Sequence, residues 1–183
     1  MVDSQTNSTT IQTFYVFSSE NWKRPKREIN FLFILIKKYF SKNIKDLIAE
    51  GIKINILGEL NLLPAEIRLL LNKSISLSKN NKKIIVNLAI NYGSRYEIFK
   101  ASKKNKQKSD IKNFEKNLYT INQPDPDVLI RTGGYQRLSN FMLWQLAYTE
   151  LFFIKKLWPD FNPNDLKKII KKYKRIKRNF GNI

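Results

Sequence analysis

Cysteine and histidine are both absent from the 183 residues. Without cysteine there are no disulfides and no thiolate metal sites. Without histidine the chain lacks the commonest general base and the commonest transition-metal ligand. Acid, base or metal chemistry therefore falls on Asp, Glu, Tyr or water. A hard, oxygen-seeking ion such as Mg²⁺ is the metal that suits such donors. Acidic groups are scarce too: 15 Asp and Glu stand against 34 Lys and Arg, for a formal charge of +19. Such an excess suits a polyanionic partner: nucleic acid, an anionic membrane or a phosphorylated substrate. A drift in base composition toward Lys, Asn and Ile produces the same excess with no function attached. Long apolar runs are missing as well. The longest, Phe31 to Ile36, falls far short of the roughly 18 to 20 residues that span a bilayer. The opening MVDSQTNSTT has neither the cationic start nor the apolar middle of a signal peptide. These features point to a cytoplasmic protein, with contact to a membrane surface left open.

What is present is an apolar fraction of 42%, enough for one domain with a core. Residues 1–12 read as polar and disordered, and 13–183 as a single domain. TFYVF (Thr13 to Phe17) is a β-prone run, and SSENWKRP (Ser18 to Pro25) a loop that opens a helix from about Lys26 to Glu50, closed by Gly51. Strands follow at Ile52–Gly58 and Lys83–Gly93, with an amphipathic helix over Leu63–Lys79 between them and another from Ser94. Lys103–Asp110 reads as a solvated loop with some helix after it. Asp127–Ile130 is a strand, a helix is expected from about Asn140, LFFI is a last strand, and Asn164–Asn179 a last helix. On that helix Leu166, Ile169, Ile170, Tyr173 and Ile176 form a stripe among lysines. It can pack on the domain or lie on an anionic membrane.

Strand alternates with helix, and the strands are apolar on both faces. That predicts an α/β fold with a mostly parallel sheet covered by helices on both faces. In such sheets ligands bind beyond the C-terminal ends of the strands. Three polar loops lie at those ends: SSENW, NYGSR and RTGGYQR.

The last loop holds the most chemistry. Arg131 and Arg137 flank Gly133-Gly134. Glycine N–H groups and a following helix N-terminus make an anion cradle. Guanidinium forks match phosphate oxygens. Ser139 caps the helix or donates to the same anion. Glu150, set among apolar residues, needs a partner: an arginine in a buried ion pair, or a Mg²⁺ that helps hold a diphosphate. On one straight helix Ser139 and Glu150 would lie about 16 Å apart, too far to share a phosphate. Val16, Leu32, Phe33, Ile36, Ile54 and Ile56 read first as core. Beside a diphosphate cradle they would also suit a lipid diphosphate.

Three stretches carry a family resemblance: FYVFSSENWKRP (Phe14 to Pro25), INYGSRYEI (Ile90 to Ile98) and PDVLIRTGGYQRLSNFMLWQLAYTELFFIKKLWPDF (Pro126 to Phe161). In these the chain resembles the cis-prenyltransferases of the bacterial undecaprenyl diphosphate synthase type. The resemblance implies a parallel-sheet α/β fold and a homodimer. It implies successive cis additions of isopentenyl diphosphate to an allylic diphosphate, with Mg²⁺ as cofactor. It assigns Arg131, Arg137 and Ser139 to the isopentenyl diphosphate and Glu150 to the metal. Asn21 and Glu28 would be catalytic, with Trp22 and Arg24 binding substrate, and the apolar wall would become a product tunnel.

Three departures stand out. The family's opening Asp-Gly-Asn-x-x-x-Trp segment, which binds Mg²⁺ and cradles the allylic diphosphate, does not occur in these 183 residues. That predicts an N-terminally incomplete member, weak or inactive alone. Tyr135 stands where the family usually has glutamate. The C-terminal Arg-Phe-Gly pattern reads Asn179-Phe180-Gly181, with Arg178 one step earlier. Two other functions are compatible with parts of the sequence. One is a non-catalytic partner subunit, against which the retained Arg131, Arg137 and Ser139 argue. The other is a basic nucleic-acid-binding module, for which no aromatic stacking array is seen, so nucleic acid is not expected as a partner.

Overall fold

The computed structural model describes residues 10–104 and 110–179. Contacts group the residues up to Lys100 into one compact unit and those from Ala101 into a second.

In the first unit, β1 (Thr10–Ser18), β2 (Ile52–Leu57) and β3 (Ile84–Tyr92) form a parallel sheet in the order β1-β3-β2. Parallel neighbours need long crossovers, and helices α1 (Lys26–Ala49) and α2 (Ala65–Ser78) supply them. Phe33 lies one helical turn after Ile29, and Phe40 two further turns on. Leu63, Ile67 and Leu71 repeat the four-residue spacing at α2. These side chains bury one helix face each against Phe17, Ile54 and Ile90 of the sheet. Full burial of each such side chain stabilises the unit by roughly 1.5–3 kcal/mol. Leu32, Ile36 and Ile56 pack against this cluster while Val16 lies outside it, 37% exposed. The register slips between Tyr15 and Phe17, so Val16 sits in a bulge.

β1 starts at Thr10, earlier than the sequence predicts. Thr10, Ile11 and Gln12 pair with Ile84, Ile85 and Val86. A ladder uses backbone groups, so polar side chains at a strand's start do not prevent pairing. Elsewhere in the sheet, polar residues bond to one another: Asn55 donates to Asn87 at 3.2 Å and Asn87 to Thr13 at 3.1 Å. Asn81 donates to the carbonyls of Ile48 and Ile52, both at 2.9 Å, tying the end of α1 to the start of β2. β3 leads into α3 (Ser94–Lys104). Lys103 and Lys104 complete this helix rather than open a loop, because lysine favours a helix C-terminus. Residues 105–109 of the expected loop lie outside the described residues.

In the second unit Asp110 caps α4 (Ile111–Glu115) by accepting the Asn113 N–H at 2.7 Å. β4 (Val128–Arg131) and β5 (Glu150–Phe153) pair in parallel, Val128 with Glu150 through Arg131 with Phe153. α5 (Pro163–Tyr173) begins at a capping box in which the Asn162 side chain accepts from Asn164 and Asp165. It stops at Tyr173, well short of the expected Asn179. Arg178 draws the chain back, donating to Asp127 at 2.8 Å, to the Tyr173 hydroxyl at 2.9 Å and to the Tyr148 carbonyl at 2.9 Å. Ile169 is buried while Leu166 and Ile170 are partly exposed, so the stripe packs at its centre. Residues 180–183, with the Phe180-Gly181 pattern, lie outside the described residues.

Candidate functional site

In the first unit the chain after β1 makes a tight 3₁₀ turn, Ser19–Lys23. Asn21 closes it: its side-chain oxygen accepts the Ser18 N–H at 2.9 Å, and its carbonyl accepts the Arg24 N–H at 3.0 Å. Trp22 wedges its ring between Phe17, at 5.2 Å, and Phe33, at 5.7 Å. Its indole N–H donates to Asn91 at 2.8 Å. Arg24 and Glu28 form an exposed i,i+4 ion pair at 2.5 Å. The four predicted residues are thus neighbours in one structured turn and the first turn of α1.

Asn91, which sequence reasoning passed over, organises this end of the sheet. Its amide nitrogen donates to the Glu59 carbonyl at 2.7 Å, and its own carbonyl accepts the Glu59 N–H at 3.3 Å. One side chain therefore joins the loops that follow β1, β2 and β3. Asn91 is 5% exposed with φ of 50°, a left-handed conformation that asparagine tolerates better than most residues. An asparagine closing a β-branched strand was the only signal in the sequence. Glu59 also forms an ion pair with Lys100. Nearby, Tyr15 donates to the Tyr92 carbonyl at 3.3 Å, and Tyr92 to the buried Glu97 at 2.5 Å. Burial first, and Glu20 second, push the Tyr15 hydroxyl up to about 12.

In the second unit β4 delivers Arg131 at its C-terminal end. Arg131 Nη1 donates to Ser139 Oγ at 2.9 Å and to the Arg137 carbonyl. The three residues predicted to bind diphosphate are therefore brought together. Two expectations about the loop fail. The Gly133 and Gly134 N–H groups do not face an anion: they donate to the carbonyls of Lys156, at 2.7 Å, and Ile154, at 2.9 Å. No helix starts at Asn140, because Ser139, Asn140 and Met142 have φ of 51°, 61° and 46°. A right-handed helix cannot run through left-handed residues. Ser139 accordingly caps no helix and serves as the acceptor of Arg131. The cradle is built from side chains, on a loop whose strained backbone holds them in place.

Its charge is uncompensated among the described residues. Among the described residues neither Arg131 nor Arg137 forms an ion pair. Desolvation, and then the Arg137 guanidinium, hold Arg131 below the usual guanidinium value. Tyr135 acts in the opposite direction. Two neighbouring guanidiniums without an acid make a site that gains by taking an anion.

Glu150 does not join them. It opens β5 opposite Val128, whereas Arg131 lies opposite Phe153. Three strand residues separate the two levels, about 10 Å. Nor does Glu150 pair with an arginine among the described residues; its backbone N–H donates to the Asp127 carbonyl at 3.1 Å. No group of three acidic residues that could hold a metal occurs among the described residues. One half-buried carboxylate does not make a protein cage. It does suit Mg²⁺, which commonly binds through one or two carboxylates plus phosphates and water.

Residues 4–181 match the model of the Prenyltransf family, described as undecaprenyl diphosphate synthase. This chain belongs to that prenyltransferase family. It is 42% identical to the isoprenyl transferase of Oceanobacillus iheyensis, over 94% of this chain and 73% of that protein. It is 44% identical to the isoprenyl transferase of Rickettsia typhi, over 92% of this chain and 76% of that protein. Among solved structures it superposes with a TM-score of 0.89 on lavandulyl diphosphate synthase from Lavandula x intermedia, crystallised with dimethylallyl diphosphate. That match has 33% identity and covers 94% of this chain and 79% of the other. The prenyltransferase assignment accords with the α/β fold, the parallel strands and the cationic loop after β4. As a prenyltransferase the chain is an enzyme of isoprenoid synthesis. Among the described residues no helix is long and apolar enough to cross a membrane.

Proposed function

We propose that this chain is a cis-prenyltransferase that adds isopentenyl diphosphate units to an allylic diphosphate, giving a polyprenyl diphosphate of the undecaprenyl type. The observation that carries this reading is the pair Arg131 and Arg137, uncompensated among the described residues, with Ser139 hydrogen-bonded to Arg131. Arg131 and Arg137 bind the diphosphate of isopentenyl diphosphate through charge-assisted bonds, and Ser139 holds the Arg131 fork in position. In the first unit, Asn21 and Glu28 are the residues proposed to be catalytic, and Trp22 and Arg24 those proposed to bind substrate. Asn21 and Trp22 fix the turn, and Arg24 and Glu28 stand exposed at its rim. Glu150 is the residue that would hold Mg²⁺, which when bound neutralises charge on a diphosphate. We further propose a homodimer in the cytoplasm whose membrane contact is peripheral, as suits an enzyme with a long apolar product, and no nucleic-acid partner. A non-catalytic partner subunit would have no need of the uncompensated arginine pair.

The test is incorporation of labelled isopentenyl diphosphate into farnesyl diphosphate with Mg²⁺ present. Turnover that Arg137→Ala abolishes supports the proposal. Absence of turnover, together with absence of isopentenyl diphosphate binding, overturns it.

A further inference from the structure

Tyr135 lies between the two arginines of this loop and is 56% exposed. The Arg137 guanidinium sits 4.2 Å from its ring centroid and the Arg131 guanidinium 5.9 Å. Both distances fall within cation–π range. Arg137 makes no ion pair among the described residues, so the ring is the group that steadies its head.

We propose that Tyr135 is a positioning residue: its ring is a neutral shelf that holds Arg137, and secondarily Arg131, poised for a diphosphate. The inference rests on the diphosphate reading of this loop. A neutral shelf differs physically from a carboxylate at the same place. A carboxylate would steady the guanidinium by neutralising it, and an incoming anion would then have to displace it. The face of an aromatic ring attracts the cation through its quadrupole and leaves the charge and all five N–H donors in being. The incoming diphosphate thus meets an oriented, fully charged fork, and less side-chain freedom is lost on binding.

The decisive substitutions are Tyr135→Leu, which keeps apolar bulk without a π face, and Tyr135→Phe, which keeps the face without the hydroxyl. Two readouts are needed. Nitrogen-15 NMR of the arginine Nε–H groups reports the ring-current shift on Arg137. Titration with inorganic pyrophosphate, and kinetics in isopentenyl diphosphate where turnover is present, report binding. An exposed cation–π contact of about 0.5–1 kcal/mol corresponds to roughly a 2- to 5-fold change in Kd. Tyr135→Leu is therefore expected to lose the ring-current shift and to raise the pyrophosphate Kd 2- to 5-fold. Its kinetic cost should fall on KM rather than kcat, with no change in Tm. Tyr135→Phe should restore both the shift and the Kd. A Tyr135→Leu variant that binds pyrophosphate as wild type does, while Arg137→Ala binds more weakly, overturns the role of Tyr135 alone. If Arg137→Ala also leaves binding unchanged, the diphosphate reading of the loop falls first. A wild-type Arg137 without a ring-current shift overturns the shelf whatever the binding result.

Discussion

Replacing Asn91 by alanine tests whether one side chain holds the strand-end loops of the first unit together. The substitution removes the acceptor of the Trp22 indole N–H, at 2.8 Å, and the donor to the Glu59 carbonyl, at 2.7 Å. Leaving a buried donor or acceptor without its partner costs about 1–3 kcal/mol per group. Trp22 is only half-buried, so water can reach its N–H and the lower end applies there. Alanine at φ of 50° adds about 1 kcal/mol of left-handed strain. The sum is about 3–5 kcal/mol, a large share of the roughly 5–15 kcal/mol that holds a domain folded. Denaturant unfolding at constant m-value measures it. Asn91→Gly relieves the backbone strain but not the lost bonds, and should recover about 1 kcal/mol. Asn91→Asp keeps an acceptor for Trp22 but sets a carboxylate against the Glu59 carbonyl, so it should fall between wild type and alanine. An Asn91→Ala protein within about 0.5 kcal/mol of wild type, the usual range for an unremarkable surface change, would refute the reasoning.

Other outcomes follow from single contacts. Gly58 has φ of 126°, and a Cβ there would lie 2.2 Å from the Ile90 carbonyl oxygen. Gly58→Ala should therefore destabilise by more than about 3 kcal/mol, whereas Gly133→Ala, with open space around it, should cost only the about 1–2 kcal/mol of its left-handed backbone; comparing their unfolding midpoints checks both. Arg131→Lys keeps the charge but loses the fork that engages Ser139 and the Arg137 carbonyl, so pyrophosphate Kd should rise by about an order of magnitude, measured by calorimetric titration. Tyr15 titrates near 12 when folded and near 10 when unfolded. Its contribution to stability is therefore complete below the unfolded value and is lost as pH rises through the folded one. Tyr15→Phe should flatten the alkaline fall in Tm between those two values, and an unchanged slope would count against the burial argument.

Much of this protein could be read from residue order. Apolar spacing marked α1 and α2 closely, because a helix that covers a sheet must repeat its buried residues every turn. β-branched runs marked β2 and β3. The motif around RTGGYQR brought Arg131, Arg137 and Ser139 into one proposal, and the fold does place Ser139 within reach of Arg131. Other features were not local properties. Composition does not show that Ser139, Asn140 and Met142 turn left-handed, because tertiary contacts force that backbone against its intrinsic preference. Nor does it show that the glycine N–H groups are taken by Ile154 and Lys156, since those partners arrive only when β5 pairs with β4. A straight helix would already have set Glu150 about 16 Å from Ser139; the strand register, not a helix, is what places it at the other end of the β4–β5 pair from Arg131. Asn91 was one asparagine among many until three strand ends converged on it. The sequence by itself determined which chemistry the chain carries, since charge, motif and the missing histidine and cysteine are properties of the residues. Only the tertiary structure decided which groups remain available for that chemistry, because availability depends on which hydrogen bonds and charges are already satisfied by distant partners.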